Sequence, residues 1–160
     1  MKDVKEKVYI ETSFISFLAA KTSSDILLLA RQIESQQWWD NDRERFDLYT
    51  SAAVVREASK GDGNAAEKRL ELLEPLTALQ ITPETISLSR ELIGHHLLPE
   101  AASEDALHIA ICAAHGMDFL LTWNCKHLAN AVICRKVYHY LGLQGYQPPV
   151  ICTPAELMEK

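Results

Sequence analysis

The sequence predicts an α/β fold in which helices cover both faces of a mostly parallel sheet. Short apolar segments with strand character recur along the chain, helical segments separate them, and neither an internal repeat nor a low-complexity tract interrupts the pattern. A chain of 160 residues has the length of one domain. We therefore expect residues 1–160 to form a single domain with one core.

Five segments have the character of strands. The segment Phe119–Thr122 is the clearest, because it is a continuous apolar run directly after a turn that contains Gly116. The segment Leu79–Ile81 is the weakest. In chain order, the predicted strands are Lys7–Glu11, Asp47–Ser51, Leu79–Ile81, Phe119–Thr122 and Val150–Cys152.

Between these strands, apolar residues recur at helical spacing and polar residues mark the helix ends. Ser51 and Ser103 are placed to cap the helices that follow them, and Thr82-Pro83-Glu84 has the order of an N-cap, an N1 proline and an N-terminal acid. The predicted helical segments are Phe14–Ala20, Asp25–Trp39, Ala52–Lys60, Ala65–Leu73, Thr82–Ile93, Ser103–Gly116, Ala129–Leu141 and a last turn that Thr153 opens.

Composition and charge narrow the class of protein. The chain has 48% hydrophobic and 24% charged residues, which is typical of a folded globule. No signal peptide or membrane-spanning stretch is evident, so we expect a soluble protein of the cytoplasm. The four cysteines lack CxxC spacing and imply no disulfide framework. A net charge of −6 argues against nonspecific coating of DNA, but a bound divalent ion reverses the local sign where a phosphate must sit.

Four side chains with oxygen donors stand at equivalent places in this pattern. Glu11 ends the first strand, Glu57 lies in the helix after the second, Asp105 lies in the first turn of its helix, and Asn124 follows Phe119–Thr122 by two residues. In a parallel sheet all four converge on one edge, and such ligands suit Mg²⁺ or Mn²⁺. Each acid alone also has an ordinary explanation, as a solvated helix residue or as an acid at a helix N-terminus.

Four segments together resemble the motifs of PIN domains, in a form seen in VapC-like toxins of bacterial toxin–antitoxin pairs. They are Tyr9–Ser13, Ser51–Glu57, Ser103–Ala110 and Leu120–Asn130. The resemblance implies a three-layer α/β/α sandwich and a Mg²⁺- or Mn²⁺-dependent ribonuclease. It also implies a homodimer that is often inhibited by a cognate antitoxin protein.

The resemblance assigns roles to individual residues. It implies that Glu11, Glu57 and Asp105 are catalytic and bind the metal, that Asn124 completes the site, and that Thr12 or Ser13 supports it through a hydroxyl. Two positions depart from the family pattern, because its first acid is usually Asp and its fourth is often Asp. The alternative is therefore a PIN fold, weakened at Glu11 and Asn124, that binds RNA or a protein partner without cleaving.

Several other side chains have two explanations each. His108, one turn past Asp105, lines the pocket or is a hydrogen-bonded helix histidine, and the second is favoured. Cys125 and His127 lack the spacing of a structural zinc site and are explained as turn or core residues. At least one of the two tryptophans, Trp38 and Trp39, is expected in the core. Cations that either contact RNA phosphate or are merely solvated are Arg56, Lys60, Lys68, Arg69 and Lys126.

A different doubly wound domain, such as a phosphoryl receiver, is a less favoured alternative. Such a domain needs a pair of acids after the first strand, and no pair follows Tyr9-Ile10.

Overall fold

Residues 3–159 are described by a computed structural model, and five of their segments form one parallel sheet. The strand order is β3-β2-β1-β4-β5, and every neighbouring pair is parallel. This confirms the predicted α/β class. The strands are β1 Glu6–Ile10, β2 Phe46–Ser51, β3 Thr77–Leu79, β4 Phe119–Leu121 and β5 Val150–Cys152.

Helices connect all of these strands. Three short 3-10 turns, at Arg43–Arg45, Glu100–Ala102 and Pro154–Leu157, join or end the longer elements. The helices are α1 Thr12–Ala19, α2 Ile26–Asn41, α3 Ala52–Ala58, α4 Gly63–Leu73, α5 Pro83–Gly94, α6 Ser103–His115 and α7 Ala131–Leu143.

The direction of the crossovers divides the helices into two layers. From β1 to β3 the chain moves towards one edge of the sheet, and from β3 to β5 it moves back across to the other. Since such crossovers are right-handed, α1–α4 cover one face and α5–α7 cover the opposite face. Helix α1 contacts α2, α3 and α4, and α5 packs on α6. The α/β/α sandwich is confirmed.

The core lies on both sides of the central strands. In β1, Val8, Tyr9 and Ile10 are completely buried, as expected for a strand that is covered on both faces. Trp38 of α2 is also buried and meets the ring of Phe14 edge-on, with 5.6 Å between centroids. Its burial confirms the expectation for the tryptophan pair. Among the helices of residues 3–159, none combines the length and the apolar content that crossing a lipid bilayer requires.

Several predicted boundaries differ from the structure by about two residues, and three predictions about element ends were wrong for local reasons. Strand β3 begins and ends two residues earlier than predicted, because the partly buried Ile81 packs on the core from the loop that follows the strand. Ser103 is not a cap, since the Glu100–Ala102 turn runs directly into α6 and Ala102 occupies the N-cap position. Helix α7 begins at Ala131, because the side chain of Asn130 accepts hydrogen bonds from the backbone N–H groups of Val132 and Ile133.

Candidate metal centre

The candidate centre lies at the carboxyl edge of the sheet, where the chain leaves β1 and β4. These two strands are neighbours, and the connections after them run in opposite directions across the sheet. Such a switch point leaves a crevice between two loops, which is where open α/β sheets bind ligands. Glu11 follows β1 and Thr122 follows β4, so both stand at this crevice.

Glu11 is a buried carboxylate, and hydrogen-bond donors hold one of its two oxygens in place. Its relative exposure is 4%, and as the N-cap of α1 it accepts a hydrogen bond from the backbone N–H of Ser13 at 3.0 Å through Oε2. The hydroxyls of Ser13 and Thr122 donate to the same oxygen, the latter at 2.7 Å. Buried charge requires such compensation. Within residues 3–159 the other oxygen, Oε1, accepts no hydrogen bond, so it remains available to a cation.

The two expected hydroxyl supports behave differently. Ser13 contacts Glu11 directly, and its Oγ also accepts a hydrogen bond from the backbone N–H of Trp123 at 2.8 Å. The hydroxyl of Thr12 is buried and finds no partner among residues 3–159. Ser13 therefore joins Thr122 in tying the first acid to the loop after β4.

Glu11, Glu57 and His108 form a compact group of polar side chains. One donor atom from each lies within 4.8 Å of the other two. His108 is completely buried, and its Nε2 lies 2.5 Å from Oε1 of Glu57. Its Nδ1 lies 2.7 Å from the hydroxyl of Tyr9. His108 is thus a hydrogen-bonded helix histidine, as favoured from the sequence, and it also lines the pocket.

The surrounding charges favour the protonated form of His108. Burial lowers the pKa of this imidazole, but the hydrogen bond to Glu57 and the charges of Glu11, Glu57 and Asp105 together raise the pKa above its ordinary value. In that form both ring nitrogens donate, to Glu57 and to the Tyr9 hydroxyl. The Tyr9 hydroxyl lies 2.7 Å from Oγ of Ser51, so a buried chain of hydrogen bonds leads from the start of α3 to Glu57.

Asp105 stands beside this group and is held by the loop after β4. Its Oδ1 accepts a hydrogen bond from the side-chain amide of Asn124 at 3.1 Å, and its Oδ2 lies 3.1 Å from Nδ1 of His127. Asp105 is not part of the three-residue group, but its charge contributes to the raised pKa of His108. The four predicted residues therefore lie in two adjoining clusters, with Glu11 and Glu57 in one and Asp105 and Asn124 in the other.

The amide of Asn124 has a fixed orientation. Its Oδ1 accepts hydrogen bonds from the backbone N–H groups of Lys126 at 3.2 Å and His127 at 3.1 Å. A flipped amide would direct its NH₂ group at these two donors, so the carbonyl faces its own loop and the NH₂ faces Asp105. An aspartate at this position could not donate to Asp105.

The places of two side chains in the site were missed. Thr122 was predicted only as the end of a strand, whereas its hydroxyl donates to Glu11. His127 was explained as a turn or core residue, whereas the structure sets its ring against Asp105. The only sequence signal for this contact was its position three residues after Asn124, in the same loop. Cys125, its partner in the rejected zinc explanation, is an exposed free thiol.

Comparisons with known proteins agree with this architecture. A PIN domain family model matches residues 8–126, a span that includes Glu11, Glu57, Asp105 and Asn124. A search of curated proteins gives no match. Among solved structures, the fold is similar to that of Mycobacterium tuberculosis VapC20, a sarcin-ricin loop cleaving toxin, with a TM-score of 0.58 and 17% sequence identity. That alignment covers 88% of this chain and 96% of VapC20. The chain belongs to the PIN domain family, a family of nucleases that use divalent metals.

Proposed function

We propose that the protein is a divalent-metal-dependent endoribonuclease that hydrolyses phosphodiester bonds at this centre. The observation that carries the proposal is the convergence of the Glu11 and Glu57 carboxylates at the crevice, where one side-chain atom of each and one of His108 lie within 4.8 Å of one another, with Asp105 alongside. Three carboxylates lie near one imidazole in this partly buried pocket, so a bound cation would offset the negative charge that His108 alone does not balance. The membership of the chain in a nuclease family also supports the proposed activity.

The donor set fits Mg²⁺ or Mn²⁺. Carboxylate oxygens are the ligands that both ions prefer, and these ions retain waters that a substrate phosphate can replace. Oε1 of Glu11 is not hydrogen-bonded within residues 3–159 and is open to the ion. Glu57 has one oxygen hydrogen-bonded to His108 and one without a hydrogen bond to residues 3–159. Each oxygen of Asp105 keeps a second lone pair. Glu11, Glu57 and Asp105 would therefore hold the ion.

When bound, the ion would polarise a phosphoryl oxygen and lower the pKa of a coordinated water. The residues of the chain would supply the positioning. Ser13 and Thr122 fix the carboxylate of Glu11, His108 fixes that of Glu57, and Asn124 with His127 fixes that of Asp105. Each acid would be held in one orientation before the substrate arrives, which reduces the reorganisation needed during reaction.

The two departures from the family pattern are compatible with this role. The extra methylene of Glu11 is accommodated because three donors from Ser13 and Thr122 hold its carboxylate at the start of α1. Asn124 replaces a negative charge by a donor that binds Asp105, which lowers the electrostatic repulsion within the pocket. We therefore favour an active enzyme over the alternative, a non-cleaving PIN fold.

Cleavage of RNA tests the proposal directly. Purified wild type and Asp105→Asn are incubated with mixed single-stranded RNAs in Mg²⁺ or Mn²⁺, and we expect the variant to lose roughly 100-fold or more of the cleavage rate. Glu104→Gln is the matched control, because Glu104 is the neighbouring acid but forms a surface ion pair with Arg56 at 3.4 Å. Equal cleavage by wild type and Asp105→Asn with both metals would contradict the enzymatic proposal.

Metal binding separates the enzyme from the non-cleaving alternative. Isothermal calorimetry of wild type with Mn²⁺ is expected to show binding that Glu11→Gln weakens, since the substitution removes the charge of a buried ligand. RNA binding in the absence of any measurable Mn²⁺ binding would favour the alternative.

We further propose that the protein is the toxin of a toxin–antitoxin pair, acts in the cytoplasm and forms a homodimer. The first half of α2 supports the proposal of a protein partner, because it exposes the apolar side chains of Ile26, Leu27 and Ile33.

Expression in bacteria should arrest growth with wild type but not with Asp105→Asn. Light scattering after gel filtration measures the mass, and a monomer at all concentrations would contradict the dimer.

A further inference from the structure

Residues 119–155 differ in charge from the rest of the chain. They contain Lys126, Arg135 and Lys136 and no Asp or Glu, whereas the whole chain has a formal net charge of −6. These three cations form no ion pair with an acid of residues 3–159. A locally basic segment in an acidic protein is typical of a surface that meets an anionic ligand.

The cations of α7 share one open depression. Arg135, Lys136 and His139 are exposed and line it together with Ala131 and Val132, and its volume is about 710 Å³. The opposite face of α7 is buried through Cys134, Val137 and Leu141, so the helix presents its basic face outwards. We call this face, together with Lys126, the α7 basic surface.

The start of this surface adjoins the loop that holds Asp105. Asn124, which binds Asp105, accepts a hydrogen bond from the backbone of Lys126, and Asn130 donates to the carbonyl of Lys126 at 3.4 Å. Asn130 is in turn the N-cap of α7. The positive end of the α7 dipole therefore lies next to the loop that holds Asp105, and Arg135 follows about 6 Å along the helix axis.

Two of the other cations considered from the sequence, Arg56 and Arg69, are committed to contacts within the protein. Arg56 pairs with Glu104 at 3.4 Å. Arg69 donates to the backbone carbonyls of Ala58 at 2.9 Å and Lys60 at 2.6 Å. These two candidates from the sequence are thus explained by the fold, whereas Lys126 and the cations of α7 remain available to a ligand.

We propose that the α7 basic surface binds the phosphate backbone of the RNA substrate on one side of the scissile bond. The inference rests on the proposed nuclease function and adds the path that the RNA takes from the metal centre, past Lys126 and along α7 to Arg135 and Lys136. Contacts of this kind position the strand without reading its sequence. They contribute affinity that falls with salt concentration, because each phosphate contact releases bound counterions.

The test compares two double variants, both in the full chain with Asp105→Asn so that the RNA stays intact. The first is R135Q/K136Q on the α7 basic surface. The matched control is K5Q/R90Q, which removes the same charge. Lys5 precedes β1 at the opposite end of the sheet, and Arg90 lies in the second half of α5; both are exposed.

The probe is a fluorescein-labelled single-stranded oligoribonucleotide of mixed sequence, and anisotropy gives the binding constant between 50 and 200 mM KCl.

We expect R135Q/K136Q to weaken binding and to make the slope of log K against log[KCl] shallower by roughly 1.4, at about 0.7 for each lost contact with a single strand. The control should keep the slope of the parent. Identical slopes for the two double variants, or no binding of RNA by the parent, would overturn the inference. Identical slopes would point instead to another ligand for this surface, such as an acidic protein segment. Because binding is measured without cleavage, the result is independent of the test of nuclease activity by Asp105→Asn.

Discussion

Asn124 and His127 show how single residues acquire a role through their partners. Both belong to one loop, and both bind Asp105, at 3.1 Å in each case. The sequence suggested a carbonyl ligand at Asn124, whereas its carbonyl is occupied by two backbone N–H groups. In our proposal Asn124 therefore acts on the metal through Asp105, as a positioning residue.

His108 gives a prediction at the same scale. His108→Ala leaves Oε1 of Glu57 without its donor and removes a partner of the buried Tyr9 hydroxyl. Because a buried polar group without a partner costs about 1–3 kcal/mol, we expect the free energy of unfolding to fall by at least this amount. Urea denaturation measures it, with His139→Ala of the exposed face of α7 as the control. Equal stability of the two variants would show that the His108 network does not stabilise the fold.

Among the elements, helix α7 has a first residue that is set by its N-cap rather than by its apolar periodicity. Helical periodicity begins two residues before the helix does, and the side chain of Asn130 sets the start by accepting from two backbone N–H groups at 3.0 Å and 3.2 Å. The same residue fixes the position of α7 relative to Lys126. The cap thus determines both where the helix begins and where its basic face lies.

Replacing this cap gives a prediction at the scale of the element. We expect Asn130→Ala to lower the free energy of unfolding by about 1 kcal/mol, because two N–H groups at the helix end lose their acceptor. Asn130→Asp retains an acceptor and adds a charge that the positive helix end favours, so it should restore stability. Urea denaturation compares the three proteins. A loss of similar size in Asn130→Asp would show that the cap is not the cause.

For the whole molecule, buried thiols contribute to the way stability depends on alkaline pH. Burial, together with the charge of Glu156, raises the pKa of Cys152 to about 12, and burial also raises the pKa of Cys112. In the unfolded chain a thiol ionises at about 8.5. Between these values the unfolded state has lost the proton and the folded state has kept it. The contribution of these thiols to the free energy of unfolding is therefore fully present below about pH 8.5 and is lost as the pH rises.

Unfolding free energies at pH 8, 9, 10 and 10.5 test this expectation. Each buried thiol should lower the free energy of unfolding by about 1.4 kcal/mol per pH unit above its unfolded pKa. Cys152→Ala should make the decline shallower by that amount. Cys125→Ala, at an exposed thiol, should leave the decline unchanged. A decline that is identical in Cys152→Ala and wild type would assign it to other groups.

The sequence by itself determined the class of fold and the candidate acids. Strand segments such as Phe119–Leu121 and helix punctuation such as Thr82-Pro83 are local signals, since apolar periodicity and cap chemistry act within a few residues. The placement of Glu11, Glu57 and Asp105 at strand and helix ends followed from the same signals. Strand β3 at the sheet edge was the exception, because its exposed Thr77 and Ala78 carry no apolar signal.

Only the tertiary structure decided which of these side chains touch. The hydrogen bond between Asn124 and Asp105 joins residues 19 apart in the chain. The hydrogen bond between Glu57 and His108 spans 51 residues, and the one between Glu11 and Thr122 spans 111. Such contacts depend on strand order, and the order β2-β1-β4 places the ends of distant segments side by side. Since no local pattern encodes that order, the partition of the acids into two clusters and the role of His127 emerged only from the folded chain.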